Sequence, residues 1–435
     1  MPAHGVQRRG AAIRTGAAKI VLINRYFHPD ESATSRVTYA LADALTRHGH
    51  PVVAVASRQD YGDATRQLPA RGQYRQIEIH RMATTRFGRS RLVGRAVDYA
   101  TFHLSTIAWV LRHVRRGDVV VVSTDPPLLS ATLSLPLRLK GARIINWLHD
   151  LFPEVAIELG VLGPGILGTT ARRLRDWSLR RAHGNVAPTA TMSEFLVARG
   201  IPADRLAVLP YWSGGEAIRP IAPPDNALRR EWGLQDVVVV GYSGNFGRAH
   251  DFDTMLDAAE RLQDDPGIRF LLVGGGHRRP QVEAAIRDRG LTNVILKPLQ
   301  PSERLAESLC AADLHLVSLL PALEPFVIPS KFYGILAAGR PTVFIGDKDG
   351  EIGQAVRQHS CGVTVEIGDG EGLAHQIRTL AASAQRRAAL ADNGRVLFED
   401  RYTEEKGTNA WAAFVAGFMG SATPPQTVDD VEVTP

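Results

Sequence analysis

The chain has 435 residues, 44% hydrophobic, 22% charged and 7% aromatic, which is ordinary for a globular protein and too long for one compact core, so two or three domains are expected. Two cysteines are too few for a disulfide framework or a four-cysteine zinc site and point to a reducing compartment, while 40 Gly and 26 Pro exclude collagen-like or wholly disordered chains. The net charge of +6 is unevenly placed: residues 1–218 hold 29 Lys/Arg against 16 Asp/Glu (+13), and residues 219–435 hold 22 against 29 (−7).

In chain order, residues 1–18 are basic, lack the apolar run of a signal peptide, and read as a disordered arm. KIVLIN, from Lys19, is a short apolar run expected of a strand buried on both faces. A polar loop, a helical pattern from Val37 through Leu45, Gly49 and the strand PVVAVAS follow. That β–loop–α–β order signals a parallel sheet with right-handed crossovers. It continues with a helix over 92–114, a strand over 118–123, a helix near 128–139, the strand RIINWL, a helix near 166–182, and short strands at GNVAP and LAVLP. The helix over 92–114 is interrupted by Arg95, Asp98, His103, Arg112 and His113 and is not a membrane span.

Regularity breaks over 213–236, read as a linker. A second α/β series occupies 237–400, a terminal helix 401–420, and an acidic, proline-containing tail, expected to be disordered, 421–435. The expectation is an α/β chain of two Rossmann-like domains, 19–212 and 237–400, facing one another across a cleft, with ligands in that cleft at the carboxyl ends of the strands and the terminal helix packing back toward the first domain.

The loop after the first strand lacks G-x-G-x-x-G, which removes most support for a dehydrogenase. His28, Pro29, Asp30 and Glu31 form either an exposed turn with an acidic helix start or a ligand loop. In the second series, GYSGNFGRAHDFD offers Gly244, Asn245 and Gly247 for close backbone approach and Arg248 as a fixed positive charge, a combination suited to a diphosphate. Gly274 and Gly275 end a strand and allow a base or ribose to come near, and Leu299 follows the next strand. Ser330 reads as a helix N-cap with Lys331 in the first turn. A lysine at the positive end of a helix dipole makes better sense if an anion sits there. His149 and Asp150 end a strand with Glu154 one turn later; they orient a hydroxyl, balance charge, or cap the next helix.

The segments YFHPDESATSRVTYALADALTRHGHPV, STDPPLL, HDLFPEVAIELGVLG, LPYWSGG, YSGNFGRAHDFDTMLDAA and PSKFYGILAAGRP together resemble GT-B glycosyltransferases of family 4, in the bacterial branch of L-fucosamine-type, colanic-acid and O-antigen transferases. The resemblance runs from about Lys19 to Phe418. It implies a retaining transfer from a nucleotide-sugar, usually a UDP-sugar, without a bound metal or other cofactor. By motif position it implies Arg248, Ser330 and Lys331 on the diphosphate, Leu299 and Glu351 on the donor side, His149 and Asp150 as the catalytic residues near the sugar and acceptor, and His28, Glu31 and Glu154 on the acceptor side. The two glutamates that many members place eight apart fall on Phe326 and Gly334 here, so their ribose and sugar contacts do not transfer, and Glu324 is out of register.

Arg86, Arg89, Arg91, Arg95, Arg112, Arg115 and Arg116 surround an apolar stripe of Leu92, Val93, Val97, Phe102, Leu104, Ile107, Trp109 and Val110. That pattern fits either the surface of an anionic bilayer or an ordinary domain helix with a solvated face. The first reading makes the chain a cytoplasmic, peripheral membrane enzyme of cell-surface polysaccharide assembly with a polyprenyl-diphosphate-linked or saccharide acceptor. The alternatives are a GT-B-shaped sugar-nucleotide epimerase or hydrolase, or a non-catalytic sugar-nucleotide-binding protein. No helix-turn-helix or aromatic–basic motif supports a nucleic-acid partner.

Overall fold

The computed structural model describes residues 18–63, 65–88, 92–163, 165–214 and 218–420. The basic arm (but for Ala18), the tail over 421–435, and Arg89 and Arg91 lie outside them. The chain divides into two compact units, the first reaching Asn146 and resuming at Ala412, the second running from Trp147 to Trp411.

The first unit contains β1 (Ile20–Ile23), α1 (Ala33–Arg47), β2 (Val52–Ser57), β3 (Arg71–Tyr74), β4 (Ile77–Met82), α2 (Leu92–His113), β5 (Val119–Ser123) and α3 (Leu129–Leu139), with β6 (Arg143–Trp147) ending on the boundary. β1, β2 and β5 are buried at every position, as apolar strands covered on both faces must be. β1 pairs in parallel with β2 and β5, with Ile20 opposite both Val52 and Val119, and β2 pairs in parallel with β4. The hairpin β3–β4 is antiparallel; the sequence reading missed it because RGQY is a fully exposed edge strand without alternating apolar residues.

The second unit contains α4 (Glu154–Glu158), α5 (Ile166–Arg181), β7 (Gly184–Ala187), α6 (Ala190–Ala198), β8 (Leu206–Val208) and α7 (Ala227–Glu231), then β9 (Val238–Asn245), α8 (Asp253–Arg261), β10 (Ile268–Gly275), α9 (Arg279–Asp288), β11 (Val294–Lys297) and α10 (Leu305–Cys310). It continues with β12 (Leu314–Ser318), α11 (Lys331–Ala337), β13 (Thr342–Ile345), α12 (Glu351–Gln358), β14 (Gly362–Val365), α13 (Gly370–Ala381), α14 (Ala384–Leu397) and the start of α15 (Glu404–Gly420). The sheets run β3-β4-β2-β1-β5-β6-β7-β8 and β11-β10-β9-β12-β13-β14. Every pairing within the second is parallel. These are two parallel-sheet, Rossmann-like folds.

The α/β series and the packing draw boundaries in different places. One hydrophobic cluster joins Leu148, Leu151, Leu179 and Met192 to Leu323, Phe326, Phe332 and Phe398, which places 147–212 in the same compact unit as the second sheet. The segment read as a linker contains α7. Asn226 caps that helix by accepting from the Arg229 backbone N–H, and buried Arg229 pairs with Asp313 at 3.0 Å and donates to the Leu234 and Val237 carbonyls. A helix of five residues is too short to show a period in the sequence. Among the described residues no helix is long and apolar enough to cross a membrane.

Candidate functional site

In the second unit, β9 and β10 end in glycines, and Lys331 reaches that end. The two strands pair in register to their last residues, Gly274 opposite Gly244 and Gly275 opposite Asn245. The sequence suggested a loop at Gly244; the structure has the strand continuing through it, with α8 starting only at Asp253. Gly274 (φ +143°) must be glycine, since a Cβ there would lie 1.9 Å from the Gly244 carbonyl oxygen. Gly275 has no atom within 4 Å of where its Cβ would stand, so its backbone face is open.

Lys331 reaches this glycine end. A Cβ on Gly244 would stand 3.8 Å from its ammonium nitrogen. Nζ donates to Tyr242 Oη at 2.5 Å and lies 3.8 Å from that ring's centroid. It also faces His250 Nε2 at 3.4 Å. Because His250 Nδ1–H donates to the Ser318 carbonyl at 2.5 Å, Nε2 carries the lone pair and accepts. Tyr242 Oη in turn donates to the Asn245 carbonyl at 2.8 Å.

Among the described residues Lys331 has no carboxylate partner, so its charge meets only neutral acceptors. Burial pushes its pKa well below the usual lysine range. Burial, then the charge of Lys331, push His250 down to about 3, keeping it neutral. Arg248 is exposed and likewise forms no ion pair among the described residues. Lys331, without a carboxylate partner and set against glycine backbone, offers a place for an anion, and Arg248 stands on the segment that follows β9, three residues past Asn245.

Ser330 occupies the N-cap position of α11, but its side chain caps nothing. The turn has already closed, Phe332 N–H donating to the Pro329 carbonyl at 3.0 Å, and Ser330 is itself helical (φ −57°, ψ −15°). The capping expectation is thereby corrected. Leu299 is exposed beyond β11.

His149 and Asp150 part company after β6. The His149 ring is buried, with Nδ1 hydrogen-bonded to Tyr211 Oη, while Asp150 is exposed. Burial pushes His149 down to about 3, so the imidazole is neutral; it can orient a hydroxyl but does not supply balancing charge. Next to it, Leu151 N–H donates to the Phe326 carbonyl at 3.0 Å, joining the His149 loop to the segment before α11.

That segment holds Glu324, 6% exposed. Its Oε2 accepts from the Glu351 backbone N–H at 3.3 Å, and Oε1 is buried without a hydrogen bond. Burial raises Glu324 to about 7, with Asp347 and Glu351 adding to the rise. Glu351 is also raised, mainly by burial, and its carboxylate accepts from Thr191 Oγ1 at 3.3 Å.

Glu154 is a correction. Its carboxylate is buried and gripped by Arg175 at 2.8 and 3.0 Å, with Arg175 also on Asp176, so it belongs to a core ion network rather than to an acceptor surface. Its position one turn after a strand end, where α4 starts, gave no sign of the arginine 21 residues later. In the first unit, His28 lies against Tyr74 with ring centroids 3.9 Å apart, and burial lowers its pKa; Glu31 is exposed at the start of α1. The sequence reading missed Tyr242, His250 and Tyr211. Each is an aromatic near a chosen residue, and only the folded chain aims it there.

Residues 32–212 match a glycosyl transferase 4-like domain and residues 237–383 match glycosyl transferases group 1. The chain is 29% identical over 267 residues to WcaI of Escherichia coli, named for colanic acid biosynthesis as a glycosyl transferase; the match covers 60% of this chain and 65% of that protein, just under two thirds. In fold it is similar to sucrose-phosphate synthase from Thermosynechococcus elongatus, with TM-score 0.74, 18% identity, and 92% and 98% of the two chains covered. It is also similar to Anabaena Alr3699/HepE in complex with UDP-glucose, with TM-score 0.68, 16% identity, and 92% and 99% covered.

Proposed function

This chain belongs to the GT-B glycosyltransferases of family 4, and we propose that it transfers a hexosyl or N-acetylhexosaminyl unit, with retention, from a UDP-sugar to a polyprenyl-diphosphate-linked or saccharide acceptor. The pathway proposed is cell-surface polysaccharide assembly, in keeping with the relative named for colanic acid biosynthesis. The UDP-glucose held by the Anabaena protein of the same fold supports the choice of nucleotide.

The observation that carries the reading is Lys331, a cation set among a phenol, an imidazole and glycine backbone with no carboxylate partner among the described residues. As the bond from the anomeric carbon to the diphosphate oxygen breaks, the electron pair leaves on that oxygen. Lys331 and Arg248, rather than a metal ion, supply the positive charge it meets, and a preorganised cation of this kind lowers the barrier because it needs no rearrangement. Neutral His149, held by Tyr211, orients a sugar or acceptor hydroxyl. Gly275 lets the nucleotide approach the backbone.

Thermal unfolding in UDP, GDP and TDP and their sugars tests this. UDP compounds are expected to raise the midpoint in the native chain and not in Lys331→Ala. Stabilisation by none of them would overturn the donor reading.

A further inference from the structure

The apolar residues of α2 do not form one stripe. Phe102, Trp109 and Val110 are buried in the first unit's core, whereas Val93 (78% exposed), Val97, Leu104 (67%) and Leu111 stand on the outside. The outer set falls at steps of 4, 7 and 7 residues, with exposed Ala100 between, so it follows one helical face. An inner face already serves the core; the outer face serves nothing in this unit.

α3 extends that face. His103 Nδ1 meets Thr132 Oγ1 at 2.7 Å and Lys140 Nζ donates to the Leu111 carbonyl at 3.0 Å, so the helices lie side by side and run the same way. Leu135 and Leu139 (73% exposed) then add to the outer surface. Buried Asp98 of α2 accepts from the segment ahead of the helix, from Thr85 Oγ1 at 2.8 Å, from Phe87 N–H at 3.0 Å and from Gly88 N–H at 3.1 Å. That clamp holds Phe87 against Gly94, yet leaves its side chain 62% exposed. A fixed, projecting aromatic is a wedge rather than a stray surface residue.

Charge selects the occupant. Asp98 is the only carboxylate in either helix, and it is buried. Exposed Arg112, Arg115 and Arg116 follow at the end of α2, none of them in an ion pair among the described residues. An apolar face of about 27 Å, bare of negative charge and ended by unpaired arginines, complements an anionic lipid surface.

We propose that the α2–α3 face docks the enzyme on an anionic bilayer, with Phe87, Val93, Leu104 and Leu139 entering the headgroup region and Arg112, Arg115 and Arg116 engaging lipid phosphates. This deepens the reading above and rests on it: a polyprenyl-diphosphate acceptor has its reactive end at that interface. The helices lie in the plane of the membrane, since neither can span it.

Flotation of the full chain with phosphatidylcholine vesicles, with and without phosphatidylglycerol, tests the proposal. Binding is expected only to the anionic vesicles and is expected to fall with salt. Leu104→Asp combined with Leu139→Asp, and separately Arg112→Ala, Arg115→Ala and Arg116→Ala together, should each lower binding by at least about tenfold. Both variants should keep native thermal midpoints and native stabilisation by UDP. Native-level vesicle binding by the leucine variant would overturn the docking face. So would a native dimer that the leucine variant dissolves, which would assign the face to a second copy. Transfer to a polyprenyl-diphosphate acceptor in detergent separates the two readings: transfer there without vesicle binding overturns the docking face alone, and vesicle binding without transfer overturns the acceptor alone.

Discussion

The carboxyl group of Glu324 occupies the space that a side chain at Gly350 would need: a Cβ there would lie 2.3 Å from the Glu324 carboxyl carbon. The acid is thus pressed onto the start of α12, with one oxygen bonded to the Glu351 N–H and the other buried without a partner.

This contact makes stability depend on pH. Glu324 is raised from an ordinary 4.5 to about 7, so the folded chain holds a proton that the unfolded chain has released between those values. The stabilising contribution is complete below pH 4.5 and is lost as pH rises through 7. Glu324→Gln is expected to gain on the order of 1–3 kcal/mol over the native chain at pH 8 and almost nothing at pH 4.5. Urea unfolding of both proteins at the two pH values measures it; a gain independent of pH would refute the assignment.

Lys331 should couple donor binding to protons. Its pKa lies well below the lysine range in the free protein, and a diphosphate beside it raises that pKa, so once the pH reaches the free-protein pKa, binding takes up a proton and weakens as pH rises further. Calorimetry in buffers of different ionisation enthalpy is expected to show uptake in the native chain and less in Lys331→Met. Turnover in that variant should fall by about two to three orders of magnitude, and Arg248→Ala, which removes an exposed charge, should cost less.

His149 should not appear as a titrating group in the activity profile. With its pKa near 3 it is neutral throughout the working range. Its folded value lies below the ordinary 6.5, so it adds stability above pH 6.5 that is lost as pH falls toward 3. His149→Asn is expected to lower kcat/KM by about a hundredfold without moving the pH limbs between 5 and 9. A shifted acid limb would mean that His149 carries a proton in the reaction.

The glycines at the strand ends should separate packing from binding. Gly274→Ala drives a methyl group into the Gly244 carbonyl and is expected to destabilise by several kcal/mol. Gly275→Ala meets no atom of the protein, so its thermal midpoint should hold while donor affinity drops. Equal midpoints and equal affinity in Gly275→Ala would remove that residue from the nucleotide surface.

Most of the buried strands were legible because they are short, mainly apolar runs; VVAVAS and LHLVS are each buried throughout. Amphipathic helices such as α12 were legible by their spacing. Segments governed by capping or exposure were not: α7 depends on Asn226, and β3 has no buried side to reveal it. The stripe on α2 was half right, since a one-dimensional run of Phe102, Leu104, Trp109 and Val110 cannot say that Leu104 faces away from the other three. Lys331 could be chosen from its place at a helix start. Tyr242 and His250, which decide its chemistry, come from 89 and 81 residues away. Glu154 shows the same limit in reverse, a carboxylate near a strand end that its arginine had already claimed.

The relay from Lys331 through Tyr242 Oη to the Asn245 carbonyl links one cation to the turn that carries the other, Arg248, three residues on. The two charges are therefore not independent anchors. Removing Lys331 takes away the donor that polarises the Tyr242 hydroxyl holding Asn245, so the losses from the two single substitutions are expected to sum to more than the loss from both together. That excess is a coupling energy, carried by one phenolic hydroxyl.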